Sequence, residues 1–518
     1  MKGFQIQQKG ERRISAALRI MLVVVLLAVQ IGFVVAISYF MQEYLALAYG
    51  VVQVGALFLA VHIYNEPGEL SYKLIWFILL LLAPPVGMIL WFLWGGAAQK
   101  RHLPQNTKRF PDEPESVRMR SEIAVDKLTR QLPAWSRTAN YLCRRDFQLY
   151  QNTSVTYLPE GAILLRNLID RAAKAERFIF LEYFILAEGK LWDELEKILC
   201  AKAREGVEVK IIFDDFGNIK RFSGETIDRL REVGVEVFIF NPVHEYVNRL
   251  HFNYRDHRKI ACMDGDVAYT GGVNIADEYA NIIERFGYWK DCGVRLEGEG
   301  AWGLTKMVLE LWVQLGGSFE EETDYYRPQL HVDGAGFCQP LCDGPDNNPV
   351  NTAEDTFLHL ITSANESVYI TTPYLAIDEA MMRALCLAAD SGVDVRLMMP
   401  GIPDHKFAYL VAQCYFGELL ERGVKIYTFE PGLLHGKSAL SDRQTGFVGS
   451  VNMDYRSFQL HFECGAVFYD MPETAAALLD DMESIMARSR CLTYEEWRRR
   501  PWLHRLIGTV LRPFAMWM

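Results

Sequence analysis

The sequence predicts an α/β chain of two repeated halves behind an N-terminal segment of hydrophobic helices. Three observations predict it. Strand-like and helix-like stretches alternate beyond residue 135. One eighteen-residue pattern occurs in each half. The first hundred residues hold three long runs without Lys, Arg, Asp or Glu.

The apolar runs are Ile20–Gln42, Tyr44–Asn65 and Leu74–Gln99. A hydrocarbon core needs about 20 apolar residues per helix, so each is long enough to span. Pro84-Pro85 interrupts the third and bends it. Lys2, Lys9, Arg12, Arg13 and Arg19 precede the runs; Lys100, Arg101, Lys108 and Arg109 follow. Basic flanks favour the cytoplasmic side. Two basic flanks suit an even number of crossings, so one run is expected to be re-entrant. The expectation is a multi-pass protein of the bacterial plasma membrane with a cytoplasmic catalytic region.

The net charge of −11 is unevenly spread. Residues 1–100 carry +3, residues 101–487 carry −19 and the last 31 residues carry +5. The membrane runs exclude a simple soluble enzyme. The acidic middle argues against a nucleic-acid binder, whose usual signature is a basic face. Seven Arg in residues 488–518 are interleaved with Trp497, Trp502, Leu506, Val510 and Trp517. That mixture fits either an interfacial element on anionic lipid or a terminal helix packed on its own domain. The ten cysteines lack C-x-x-C or zinc-type spacing, and are expected to be reduced.

Residues 101–135, with Pro104, Pro111 and Pro114, read as a linker between the 1–100 membrane segment and the rest. Beyond it, RFIFLEYFI (Arg177–Ile185) is matched by SVYITTPYL (Ser367–Leu375). GVEVKIIF (Gly206–Phe213) is matched by GVDVRLMM (Gly392–Met399), and GVEVFIFNP (Gly234–Pro242) by GVKIYTFEP (Gly423–Pro431). Amphipathic patterns at Leu191–Arg204 and Glu379–Ala389 separate them. Such alternation predicts a parallel or mixed sheet in each half, 136–325 and 326–518.

The chemistry lies in HRKIACMDGDVAYTGGVN and HGKSALSDRQTGFVGSVN. His257, Lys259 and Asp264 obey H-x-K-x4-D, followed by Gly271, Gly272 and Asn274; His435, Lys437 and Asp442 obey it too, followed by Gly449, Ser450 and Asn452. One such match arises by chance with an expectation of roughly 0.02 in a chain this long. His and Lys at i and i+2 of a strand face one way. Asp264-Gly265 signals a hairpin whose second strand, Val267–Thr270, returns towards that face. The second copy lacks this glycine, so a different turn is expected there. Imidazole, ammonium, amide and glycine N–H groups, without a carboxylate or thiol cluster, suit a phosphate rather than a metal.

The doubled motif resembles the phospholipase D superfamily and, with the hydrophobic N-terminus, its bacterial cardiolipin synthases. NYRDHRK (Asn253–Lys259), YWKD (Tyr288–Asp291) and MDYRSFQLHFE (Met453–Glu463) extend the likeness. The resemblance implies two phospholipase D-like α/β sandwich halves related by a pseudo-twofold and sharing one site. It implies phosphatidyl transfer between two phosphatidylglycerol molecules through a phosphohistidine, giving cardiolipin and glycerol. His257 is the expected nucleophile and His435 the acid, then base. Lys259, Lys437, Asn274 and Asn452 would hold phosphoryl oxygens, with Ser450 helping. Asp291 and Glu463, 34 and 28 residues after the two motif histidines, fill the places of carboxylates that orient each His. Asp264 and Asp442 complete the motif and read as groups that fix the hairpins.

Asp256 reads as a solvated strand-end residue and Trp289 as core. His244, His251, His331, His359, His405 and His461 lack repeated partners and read as structural or surface groups, with His251 and His461 nearest the motifs. The expected partners are phosphatidylglycerol and anionic membrane lipid, with no nucleic acid, metal or organic cofactor. The alternatives are a hydrolytic membrane phospholipase D, a nucleic-acid phosphodiesterase and a non-catalytic scaffold.

Overall fold

The computed structural model describes residues 45–66, 70–95, 110–242, 254–320, 323–346 and 350–517, with isolated positions 28 and 32. It divides into two compact units, residues 1–105 with 241–253, and the remainder.

In the first unit, the run Ile20–Gln42 lies outside the described residues apart from those isolated positions. The second run forms α1 (Leu45–Asn65), whose Leu47–Asn65 stretch is long and apolar enough to cross a membrane. The third run breaks into α2 (Leu70–Leu82) and α3 (Pro84–Trp94). Pro84 opens α3, where its missing N–H costs nothing. Ala83 leaves helical geometry with φ −144° and ψ 70°. Trp76 and Trp91 meet edge-to-face with ring centroids 5.0 Å apart. Unbroken helix would separate them by about 22 Å. The Pro-Pro break therefore turns a run counted as long enough to span into a short helical hairpin.

The second unit holds two large sheets and a two-stranded one, in which Leu375–Ala376 pairs with Met453–Asp454. The first contains β1 (Thr153–Leu158), β2 (Phe178–Tyr183), β3 (Glu208–Asp214), β4 (Glu236–Phe240), β5 (Lys259–Met263), β6 (Val267–Gly271) and β7 (Gly293–Gly298). Their order is β1-β7-β6-β5-β2-β3-β4. The second contains β8 (Phe337–Asp343), β9 (Ser367–Thr371), β10 (Asp394–Pro400), β11 (Lys425–Phe429), β12 (Ser438–Ser441), β13 (Thr445–Gly449) and β14 (His461–Tyr469). Their order is β8-β14-β13-β12-β9-β10-β11, with β15 (Ser489–Leu492) added beyond β11. The internal repeat thus becomes one strand order used twice. In each sheet the three strands β2-β3-β4 or β9-β10-β11 are parallel and the others antiparallel, the mixed sheet expected.

Helices at 161–172, 190–204 and 224–232 cover the first sheet with Leu164, Leu168, Trp192, Leu199 and Leu230. Helix 301–314 is buried nearly all round, as a helix between two layers must be. It touches β2, β5, β6 and β7 of one half and β8 of the other, so it lies inside the sandwich. In the second half, α5 (Lys406–Glu421) follows β10, and α6 (Trp502–Leu511) packs along α5.

Two expectations need correction. Much of the expected linker is α4 (Glu115–Gln131). Val117, Ser121, Ala124, Val125 and Leu128 share one buried face at helical spacing, and Pro114 precedes the helix instead of breaking it. The prolines that mark a linker also mark a helix start. The second hairpin does not change turn type. Asp264 and Gly265 have φ of 57° and 69°; Asp442 and Arg443 have 49° and 55°. Arg443 adopts the left-handed conformation that glycine takes in the first copy, against its own steric preference.

Candidate active site

The site forms where the two halves exchange short backbone pairings. Arg255 and Asp256 pair in parallel with His461 and Phe462 of β14, and His257 N donates to Phe462 O at 2.9 Å. On the other side, His435 N donates to Lys290 O at 2.7 Å. Each motif histidine is thus bonded to the residue just before the other half's carboxylate. The side chains follow. His257 Nδ1 lies 2.9 and 3.0 Å from the Glu463 carboxylate oxygens. His435 Nδ1 lies 2.6 Å from Asp291 Oδ2. The expectation counted each carboxylate along the chain from its own motif. The structure crosses them, because the neighbouring backbone pairing runs between halves.

Glycines permit the crossing. A Cβ on Gly271 would meet the Cys292 carbonyl at 2.4 Å, and one on Gly449 the Cys464 carbonyl at 2.3 Å. A Cβ on Gly272 would meet the Asp291 carboxylate, whereas the matching Ser450 donates its hydroxyl to Glu463. Ser457 also donates to Glu463, at 2.7 Å. Ser450 therefore holds a carboxylate, and its expected phosphate contact is corrected. Asn274 is likewise engaged: Oδ1 accepts from Ile185 N at 3.0 Å and Nδ2 donates to the Tyr279 hydroxyl at 2.7 Å. Asn452 Oδ1 is buried without a protein partner.

Lys259 Nζ donates to His257 O and Lys437 Nζ to His435 O, each at 2.5 Å, so both ammonium groups fold back beside the imidazoles. Burial, then Lys259 and Lys437, hold His257 well below its ordinary pKa. Burial and Lys437 also lower His435, but Asp291 works against them. Burial alone would raise Asp291; His435 and Lys437 overcome it and leave it below the usual carboxylate range. Burial, then Lys437, brings Lys259 down to about 7, against the pull of Glu463.

Aromatic rings wall the histidines. Phe184 lies 5.0 Å from His257, and Tyr279 and Trp289 lie 5.5 and 5.4 Å from His435. Trp289 is core, as expected, yet its ring also backs the site. His461 sits 5.3 Å from His257 and accepts from Arg456 Nε at 3.3 Å. Burial brings its pKa to about 3, so it is neutral. It lies closer to the site than the lack of a repeated partner implied. His244 and His251 lie outside the described residues. His257, His461 and Glu463 also form a possible three-ligand metal cluster. The nearby Lys259, Lys437 and Arg456 charges make the place favour an anion over a cation.

Asp256 is fully buried, not solvated. It pairs with Arg258 at 3.0 Å, which also pairs with Glu182 at 2.6 Å. Asp214 pairs with Arg255 at 3.2 Å and accepts from Asp256 N at 3.1 Å. This cluster fixes the backbone just before His257.

Asp264 and Asp442 lie away from this chemistry. Asp264 accepts from the backbone N–H groups of Glu176, Arg177 and Phe178 at 3.1, 2.8 and 3.2 Å. Asp442 does the same for Asn365, Glu366 and Ser367 at 2.9, 2.7 and 3.0 Å. Each ties its hairpin to the start of the neighbouring strand, as expected of a structural carboxylate. Strand geometry puts Asp264 about 17 Å along β5 from Lys259.

The family model described as "Cardiolipin synthase, PLD-like domain" matches residues 165–282 and 357–486, and "Phospholipase_D-nuclease N-terminal" matches 54–96. A cardiolipin synthase of Geobacillus kaustophilus is 34% identical over 466 residues, 88% of this chain and 91% of that protein. The chain belongs to the phospholipase D-like cardiolipin synthase family. Cardiolipin synthase 2 of Bacillus anthracis is 31% identical over 465 residues, 89% of either chain. An uncharacterized protein of Streptococcus mutans is 41% identical over 380 residues, 73% of this chain and 81% of that one. The crystal structure of a Haemophilus influenzae phosphatidylserine synthase shares the fold, with a TM-score of 0.58 and 14% identity over 74% of this chain and all of that one. Family membership makes the chain a phospholipid-modifying transferase and, with α1, associates it with a membrane.

Two outcomes follow from the site. Asp264→Ala or Asp442→Ala should cost about 2–3 kcal/mol of stability by stripping a charged acceptor from three N–H groups. The folded fraction should keep kcat within about threefold, since neither carboxylate is near the imidazoles. Calorimetry with activity normalised to folded protein checks this; a kcat loss approaching that of His257→Ala would contradict it. Second, Lys259 discharges as pH rises through about 7 in the free site. A bound anion favours its charged form, so tungstate binding at pH 8 should take up protons and weaken with rising pH. Titration calorimetry in buffers of different ionisation enthalpy reads this, and Lys259→Arg should reduce the uptake.

Proposed function

We propose that this protein transfers a phosphatidyl group from one phosphatidylglycerol to another, forming cardiolipin and releasing glycerol. The crossed pairing carries the proposal. It commits Nδ1 of both imidazoles to carboxylates and turns Nε2 of each to the other side of the ring, where Lys437 Nζ lies 3.1 Å from that of His435.

In the first step His257 Nε2 attacks phosphorus. The bond to the glycerol oxygen breaks, and His435, protonated, donates a proton to that oxygen. In the second step His435 takes a proton from the free hydroxyl of another phosphatidylglycerol, whose oxygen displaces His257 from phosphorus. Atoms and protons balance over the cycle, with glycerol the only released alcohol. The assignment of roles rests on electrostatics. The largest influences on His257 all favour its neutral, nucleophilic form. Asp291 favours the protonated form of His435. Lys259 and Lys437 stand ready for the phosphoryl oxygens. Asn452 Oδ1, an acceptor without a protein partner, suits the second, non-attacking hydroxyl of the incoming glycerol better than a phosphate oxygen.

The catalytic body is assigned to the cytoplasmic side on the two basic flanks; a reporter fused after residue 110 that reads external would refute this. Labelled phosphatidylglycerol in vesicles should yield cardiolipin and glycerol in equal amounts, and His257→Ala or His435→Ala should abolish both. Phosphatidic acid as the main product would instead establish a hydrolase. The roles separate by leaving group. Asp291→Asn should lose about 10⁴-fold with glycerol leaving, the size of loss seen when a His-orienting carboxylate becomes an amide. The first-turnover burst should recover much of that with p-nitrophenol, a leaving group that needs no proton, while the second step stays slow. Glu463→Gln should not recover, and the opposite pattern would exchange the two histidines.

A further inference from the structure

Away from the imidazoles, the second unit carries an apolar and basic face that the chemistry does not use. Trp502, Leu503, Leu506 and Val510 of α6 are 67%, 49%, 50% and 58% exposed. At 3.6 residues per turn they lie within about 100° of the helix circumference. The helix is fixed in this orientation from behind. Gly508 faces α5 so closely that a Cβ would meet the Leu410 carbonyl at 2.6 Å and Cys414 Sγ at 2.8 Å. Just before α6, Trp497 Nε1 and Arg500 Nη1 both donate to Gln413 O of α5, at 2.7 and 2.5 Å. The stripe is therefore held outward, when rotation could have hidden it.

Apolar exposure continues towards the site. Phe407, on the first turn of α5, is 63% exposed, and Ile402 just before it is also exposed. Ile402 N donates to Gly432 O, three residues before His435. Gly432 also pairs with Gly287, at the end of the loop that carries exposed Ile282 and Ile283. Arg285 of that loop shares Glu278 with Arg221, at 3.0 and 2.7 Å; Arg221 follows the exposed Phe216 and Ile219. A chain of direct contacts thus links apolar tips from both halves with the loop that leads into His435.

Charge selects the occupant. Arg498, Arg499 and Arg505 are exposed beside the stripe. They belong to a tail of seven Arg and two Glu, while residues 101–487 carry −19. A basic helix with Trp and Leu on its outer face matches the boundary between headgroups and acyl chains of an anionic bilayer. We propose that α6 and the apolar tips around the site dock the catalytic unit onto anionic lipid, in addition to the anchorage by α1. This docking lets the substrate phosphate reach the histidines without leaving the bilayer surface. It builds on the proposed lipid substrate, but its physical test needs no turnover.

The full-length chain is reconstituted in nanodiscs of phosphatidylglycerol and phosphatidylcholine. A nitroxide is attached at Leu506→Cys in a Cys491→Ser background, with Leu330→Cys as an exposed control remote from α6 in sequence. Docking requires the label at 506 to be more accessible to oxygen than to a polar nickel complex, and the label at 330 to show the reverse. Equal nickel access at both positions overturns the proposal. So does spin–spin broadening that grows with protein copies per disc, which would mean that the stripe meets a second chain. In a parallel assay, Leu506→Glu with Val510→Glu should raise KM for bilayer phosphatidylglycerol about tenfold. Turnover of a soluble short-chain phosphodiester should stay within about twofold, which also reports folding. Equal losses on both substrates, or no change at the bilayer, overturn the proposal. A hydrolytic product pattern with a buried label would refute only the transfer reaction; cardiolipin formation with a nickel-accessible label would refute only the docking.

Discussion

Each imidazole in this site is completed by a carboxylate from the other half of the chain, and the rest of the architecture serves that exchange. His257 bonds through its backbone to Phe462 and through its ring to Glu463; His435 repeats the relation with Lys290 and Asp291. Because the backbone pairing and the ring contact are one residue apart, the geometry of one fixes the other. Neither half could orient its own histidine. The sandwich, with helix 301–314 between its sheets, brings the two sheet edges to the registry that the exchange requires. A buried carboxylate is costly without partners. Ser450 and Ser457 supply them for Glu463, and Cys292 N supplies one for Asp291 at 2.8 Å.

The two halves solve the same problem with different side chains. Asp291 is one methylene shorter than Glu463. Gly272 leaves room for it, where a Cβ would collide. Glu463 reaches farther, and a serine hydroxyl replaces the void as a donor. The pairs Asp–Gly and Glu–Ser are thus matched in length, so exchanging only one member should disturb its histidine more than exchanging both. The same asymmetry reaches the proton chemistry. Burial and lysine charge hold both imidazoles below their ordinary pKa, and Asp291 opposes this at His435. A near-symmetric fold thereby gives its two imidazoles unlike electrostatic surroundings.

Much of this was legible in the sequence, because the repeat is a one-dimensional signal with a local cause. Alternating elements gave the mixed sheets, and H-x-K-x4-D gave the strand pair, lysines and hairpin carboxylates. The crossing was not legible. Chain distance from His257 to Asp291 carries no information about which sheet edge lies opposite. One signal was available: the tripeptides Asp291-Cys292-Gly293 and Glu463-Cys464-Gly465 repeat, and each glycine packs closely on its own half's motif hairpin, Gly293 on Thr270 and Gly465 on Phe447. The left-handed turn at Arg443 was hidden because the tertiary bonds of Asp442 enforce a conformation that local preference opposes. Helix α4 was masked by prolines that precede it. The places of His461 and Arg456 beside His257 depend on packing alone and left no repeated trace.

The acidic body poses an apparent conflict for a site built for anions. Screening resolves it. At physiological salt, charges farther than about 8 Å contribute little across solvent, whereas buried neighbours are barely screened. Most of the carboxylates behind the net −19 of residues 101–487 lie outside the site, where solvent screens them. The local field at the imidazoles is set by their buried neighbours, Lys259 and Lys437 together with Asp291 and Glu463. These lysines lose charge readily when the site is empty, since burial penalises an unpaired ammonium. By linkage, a bound anion would favour their charged forms. The proposed phosphate-bearing substrate would thus complete the positive charge of the site on binding, and an acidic exterior costs it little.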